Sequence, residues 1–172
     1  MNSEKDMFLN TWEREFQTTM KVLRAYPLSE QDWRPHPKSR TAKELVWAFV
    51  GEEIGGIQRT ADGKPSFENL PKIPSTMKEA ISEYERIHME TVKKIKKMPD
   101  EALDKKIKFF AGPGKMADMR ILDIMWSMVM DMIHHRGQFS IYVRMAGGKV
   151  PSIYGPTADE PWTEQVMAKA TT

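Results

Sequence analysis

At 172 residues and 19.9 kDa the chain has the length of one domain, and its 40% hydrophobic and 29% charged residues exclude a disordered composition. The absence of cysteine excludes disulfides, thiolate metal sites and a cysteine nucleophile. A net charge of +2, with a sequence pI near 8.7 and no basic stripe, argues against nucleic acid as a partner.

The opening MNSEKDMF has no apolar core and no small-residue cleavage site, so no signal peptide is expected. The longest apolar run, Leu45 to Val50, is far short of the roughly 20 residues that span a bilayer. A soluble, cytoplasmic protein with no membrane partner is the expectation.

Four segments carry a helical period, at about 4–26, 42–61, 77–98 and 119–146. In the first, Phe8, Trp12, Phe16, Thr19, Leu23 and Tyr26 fall on one face, and Pro27 stops the helix. The second opens on the capping box Thr41-Ala-Lys-Glu44. Leu45, Phe49 and Glu52 keep its inward phase, Gly55-Gly56 weakens it, and Asp62-Gly-Lys-Pro65 ends it. The third opens on Thr76-Met-Lys-Glu79 and runs its apolar face through Met77, Ala80, Tyr84, Ile87, Thr91, Ile95 and Met98 to Pro99. Residues 99–117 read as a connection, with an extended piece at Ile107–Ala111 that is too short to predict a sheet. The fourth, with Asp118 as its expected cap, steps through Ile121, Met125, Met128, Met132, His135, Phe139 and Tyr142 and ends at Gly147-Gly148. Residues 163–172 read as a frayed tail. The pattern predicts an all-α fold, a four-helix bundle forming one domain over 1–162.

His135 lies on the inward seam of the last helix, with Asp131 one turn before it and Gln138 three residues after. Such a pair can hold a divalent metal, or the carboxylate can orient the imidazole as a base. The bland alternative is a half-buried histidine satisfied by its own aspartate. Glu52 or Glu53 should approach the interior from helix two. His36 and His88 read as surface histidines, and His134 as facing a neighbouring helix edge or solvent. The fourteen methionines read as adaptable core filling, and Lys93, Lys94, Lys96 and Lys97 as a complement to a helix C-terminus.

The element His134-His135-Arg136-Gly137-Gln138, with Trp33-Arg34-Pro35, Leu122-Asp123-Ile124-Met125-Trp126 and the tail Val150–Glu160, resembles the DinB-like (DinB/YfiT-like) family. The resemblance implies an up-up-down-down bundle, a homodimer, and a divalent metal held by three histidines. Those would be one from helix two and two from helix four, the second directly before Arg-Gly-Gln. His135 matches that last ligand. Asp131 stands where the second histidine would be, and Ala48 where the helix-two histidine would be. Glu52, one turn beyond Ala48, can complete a Glu52, Asp131, His135 set suited to Zn, Ni, Mn or Fe. The expected binding pocket is Ala48, Glu52, Asp131, His135 and Gln138.

Two functions follow from the resemblance. The first is a stress-response-type bundle with a degenerate metal site and no catalytic metal, binding a small molecule or a partner. The second is a divalent-metal-dependent thiol transferase or hydrolase with a rebuilt site and a small-molecule or thiol ligand. The sequence reading ranks the first slightly ahead, because Ala48 removes a ligand. DNA binding, which the family name suggests, is opposed by the near-neutral charge.

Overall fold

A computed structural model describes residues 3–162, and the expected frayed tail, 163–172, lies outside the described residues. Four long helices surround one continuous core. Helix α1 spans Glu4–Arg24 and buries the whole predicted face from Phe8 to Leu23, followed by Tyr26. It starts on a capping box in which Ser3 and Asp6 satisfy each other's backbone amides. A single 3-10 turn, Leu28–Glu30, lies in the loop that follows.

Helix α2 begins at Ala42 on the predicted Thr41/Glu44 box and is α-helical to Gly51. It then runs as π-helix over Glu52–Gln58 and closes with an α-turn at Arg59–Ala61. Helix α3 spans Met77–Lys97 from the predicted Thr76/Glu79 box. A short helix α4, Asp100–Leu103, follows Pro99. Helix α5 spans Ile121–Met145. In the packing, α1 lies against α5, α2 lies against α3 and α5, and α3 also touches α1.

Two expectations need correction. The connection before α5 is an antiparallel hairpin, β1 Lys106–Gly112 and β2 Lys115–Arg120. Pro113-Gly114 supplies its turn, with Gly114 at φ 67°, the left-handed conformation that a tight turn demands. The fold is therefore mostly helical with a two-stranded sheet. Asp118 is consequently not a helix cap. It lies in β2 and pairs with Lys108 across the strands, while Arg120 takes the cap position without a side-chain bond. Arg120 instead gathers Glu4, Asp104 and Asp123, which joins the starts of α1 and α5 and the end of α4.

The segment after α5 is tied back to the helices. Arg136, 1% exposed, pairs with Glu15 at 2.8 Å and donates to the Glu15 carbonyl at 3.1 Å. The Tyr154 hydroxyl accepts from Arg136 and donates to Glu15. Arg144 and the Val150 amide both meet Asp159. Among the described residues no helix is long and apolar enough to cross a membrane.

Candidate metal centre

Glu52 opens the π-helical segment. A π-turn holds more residues than an α-turn, so the inward face slips along the helix, and such turns occur frequently at functional sites. The result here is a run, Gly51 to Ile57, that is buried throughout. Two glycines let neighbours close on it. A Cβ on Gly56 would stand 2.5 Å from Met128 Sδ on α5, and one on Gly55 would stand 2.8 Å from both the Ser66 carbonyl and the Phe67 ring.

Glu52, Asp131 and His135 converge from α2 and α5, and one potential ligand atom from each lies within 4.8 Å of the others. Glu52 is buried, His135 half-buried and Asp131 exposed. Glu52 Oε1 stands 2.5 Å from His135 Nδ1. The ring nitrogen is nevertheless off hydrogen-bond alignment, and Glu52 Oε2 also has no hydrogen-bond partner. The close partner of His135 is thus Glu52 and not Asp131, whose carboxylate acts at longer range. Contact with Glu52 holds the imidazole proton more tightly than usual, although burial opposes this. Burial raises the Glu52 carboxyl, and His135 pulls it back. Both shifts favour the protonated forms, so protons compete with a cation for these atoms.

The donor set fits a divalent cation: two carboxylates and one imidazole, with two buried atoms lacking hydrogen-bond partners. It is oxygen-rich, which suits harder divalent ions better than soft ones. Ala48 lies one turn before Glu52 and contributes no ligand atom, but it lines the same cleft. That cleft has a volume of about 510 Å³ and also takes in Arg40, Trp47, Leu70 and Met128. Four of the five residues expected in the pocket therefore meet. Gln138 lies in a neighbouring cleft of about 430 Å³, which shares Arg40 and His135, and its side chain contacts His134 at 2.9 Å.

The sequence reading missed a second pair. His88 is not a surface histidine. It is 1% exposed, stacked on Phe16 at 3.7 Å between ring centroids and edge-on to Trp12 at 4.5 Å. Its Nδ1 lies 3.3 Å from Oε1 of the fully buried Glu53. Both nitrogens of His88, both oxygens of Glu53 and the Trp12 indole nitrogen lack hydrogen-bond partners. Burial drives the two pKa values apart in ionisation: His88 falls to about 4, and Glu53 rises well above the carboxylate range, with Glu52 adding to the rise. Burial thus favours the uncharged form of each group. The available signal was position: His88 follows Tyr84 by four residues and precedes Thr91 by three, on the predicted inward face. His36 is exposed, as expected, and His134 faces solvent rather than a helix edge.

The comparisons agree with this architecture. The chain is 28% identical over 164 residues to the uncharacterized protein YrdA of Bacillus subtilis (strain 168), covering 92% of each. A crystal structure of a DinB-like protein from Bacillus cereus ATCC 10987 superposes with a TM-score of 0.70 at 22% identity, covering 86% of this chain and 95% of that one. The DinB-like protein YjoA of Bacillus subtilis gives 0.69 at 17% identity, covering 86% and 97%. The sequence model of the DinB family matches residues 1–166, and the chain belongs to that family.

Proposed function

We propose that the protein is a divalent-metal-dependent enzyme of the thiol transferase or hydrolase type, with Glu52, Asp131 and His135 as metal ligands. The observation that carries this reading is the convergence of one potential ligand atom each from Glu52, Asp131 and His135 within 4.8 Å of one another, on an open cleft. A bound cation would supply Lewis acidity and lower the pKa of a ligating water or thiol. The chain's own residues do the rest. Glu52 and His135 would hold the cation in competition with protons. Arg40 places a positive charge at the rim. Trp47, Leu70 and Met128 give the cleft an apolar wall.

The second reading, a bundle without catalytic metal, is favoured by Ala48 alone. It is the weaker reading because Glu52, one turn along the same helix, offers a ligand atom where Ala48 offers none. The proposal includes an up-up-down-down order of the four long helices, a single domain over 1–162, a homodimer and a cytoplasmic location.

The test is ligand-dependent stability. A bound cation at a hundred times its Kd stabilises a protein by about 2.7 kcal/mol. Thermal unfolding with and without Mn, Fe, Ni or Zn should show a rise for at least one ion that is absent in His135→Ala. An equal rise in the variant would contradict the assignment.

A further inference from the structure

The loop from Asp62 to Ser75 supplies part of the wall of the metal cleft, through Phe67 and Leu70. None of its residues is buried, and Leu70 is its one large apolar side chain packed against the core. Among the described residues, its backbone from Pro65 to Pro74 makes no hydrogen bond to other backbone. Apolar burial scales with the area removed from water, so it holds this loop weakly. The hold falls to polar contacts.

Few side chains make those contacts. Lys94 pairs with Asp62, and Lys43 donates to the Ser75 carbonyl, which fixes the two ends. Between the ends, Arg59 donates to the carbonyls of Ser66, Glu68 and Asn69, at 2.9, 2.6 and 3.4 Å. The Trp47 indole donates to the Pro71 carbonyl at 3.2 Å. A guanidinium presents five N–H groups in a fixed fork and stays charged at ordinary pH, so one side chain can hold three carbonyls. Arg59 does not line the metal cleft. It lines a separate one with Ser66, Glu68 and Asn69, and so reaches the metal centre only through the loop. Where the loop meets α2, glycines receive it. A Cβ on Gly55 would stand 2.8 Å from the Ser66 carbonyl and the Phe67 ring, and one on Gly51 would stand 3.3 Å from Leu70.

We propose that residues 65–71 are a lid on the metal cleft and that Arg59 is the latch that keeps it seated. Arg59 is thus a positioning residue, which acts on the site by fixing Phe67 and Leu70 against it. With the three carbonyls released, the anchored ends hold and the middle of the loop lifts. Pro65 and Pro71 stiffen that middle, so it moves as one piece. This rests on the reading of the cleft as the functional site and adds to it how access is controlled.

The chain has no cysteine, so one introduced thiol reports on one place. Ala48→Cys puts it in the cleft, and Ala80→Cys puts it in the core, where Ala80 is 0% exposed. Each is alkylated with N-ethylmaleimide in metal-free protein under excess chelator, across urea concentrations below the unfolding transition. Opening of a lid exposes little surface, whereas global unfolding exposes much, so only the second quickens with urea. The Ala48→Cys rate should be flat in urea, and the Ala80→Cys rate should climb. Adding Arg59→Met to Ala48→Cys should raise the flat rate at least about tenfold, the factor carried by one hydrogen bond from a charged donor. Arg59→Lys keeps the charge but not the fork. It should fall between the two, and it carries the test if Arg59→Met does not fold. An Ala48→Cys rate that neither Arg59 variant changes would overturn the latch. A rate that climbs with urea as Ala80→Cys does, or that equals a free thiol's in the parent, would overturn the lid. Labelling is read without metal, so these outcomes leave the metal centre standing. Labelling as expected in a chain that takes up no cation would keep the lid and remove the centre.

Discussion

Glu52 and Glu53 are neighbours in sequence but serve different helices. Glu52 Oε1 lies 2.5 Å from His135 on α5, and Glu53 Oε1 lies 3.3 Å from His88 on α3. The π-helical turn that carries them keeps both buried. One pair opens on a cleft and can take a cation, whereas the other is sealed among Trp12, Phe16 and Tyr84.

The sealed pair predicts two opposite pH dependences. The pKa of His88 is depressed to about 4 in the fold, so its contribution is complete above the unfolded value near 6.5 and is lost as pH falls toward 4. Glu53 is raised in the fold, so its contribution is complete below the unfolded carboxylate value and is lost as pH rises above it. The two partly cancel in the parent. Glu53→Gln should therefore be more stable than the parent at pH 7 and should lose up to roughly 3 kcal/mol between pH 6.5 and 4. His88→Leu should instead lose stability as pH rises through that window. Urea unfolding across the range measures both slopes, and parallel slopes in the two variants would refute the assignment.

The glycines of the π-segment should differ in cost. An added methyl at Gly56 meets Met128, a flexible side chain, whereas one at Gly55 meets the Ser66 backbone carbonyl as well as Phe67. Gly55→Ala should destabilise by about 1–3 kcal/mol and Gly56→Ala by clearly less, as overpacking against backbone is harder to relieve than against a side chain. Denaturant midpoints at unchanged m-value would show the order.

Arg136 is predicted to be structural. Arg136→Met leaves Glu15 buried beside Tyr154 without its counter-charge, which should cost about 3–5 kcal/mol. Adding Glu15→Leu should recover much of that loss, because the stranded charge is removed. A double variant as unstable as the sum of two damaging singles would argue that packing, and not charge, sets the cost.

Metal uptake should rise with pH. Burial raises Glu52 and contact with Glu52 raises His135, so protons compete with a cation for the same atoms. Dissociation constants measured by dialysis from pH 5.5 to 8 should fall with rising pH in the parent, and the dependence should flatten in Glu52→Gln.

Much of the helical frame was legible in the sequence. Strong apolar periods at Phe8–Tyr26, Met77–Ile95 and Ile121–Tyr142 gave faces that are buried or half-buried as expected, and the boxes at Thr41 and Thr76 gave starts to the residue. The hairpin was not legible, because its strands are short and the second, Lys115–Arg120, is half charged and carries no alternating apolar face. Period alone also assigned Met119 and Arg120 to the helix, whereas pairing with Ile107 and Lys106 holds them in β2. The π-turn left only an indirect trace in Gly55-Gly56, since an extra residue per turn breaks no sequence rule. His88 was missed because its residue type was weighed above its position. Arg136 was named only within a motif: its partners, Glu15 and Tyr154, stand 121 and 18 residues away.

The most direct measurement is metal content per chain after dialysis against buffered Mn, Fe, Ni or Zn and removal of free ion, compared between the parent and Glu52→Ala. One ion per chain in the parent, with under about a tenth of that in the variant, is the result predicted by a centre in which Glu52 replaces the ligand lost at Ala48. Equal loading of both proteins, or none in the parent under any of the four ions, would contradict it.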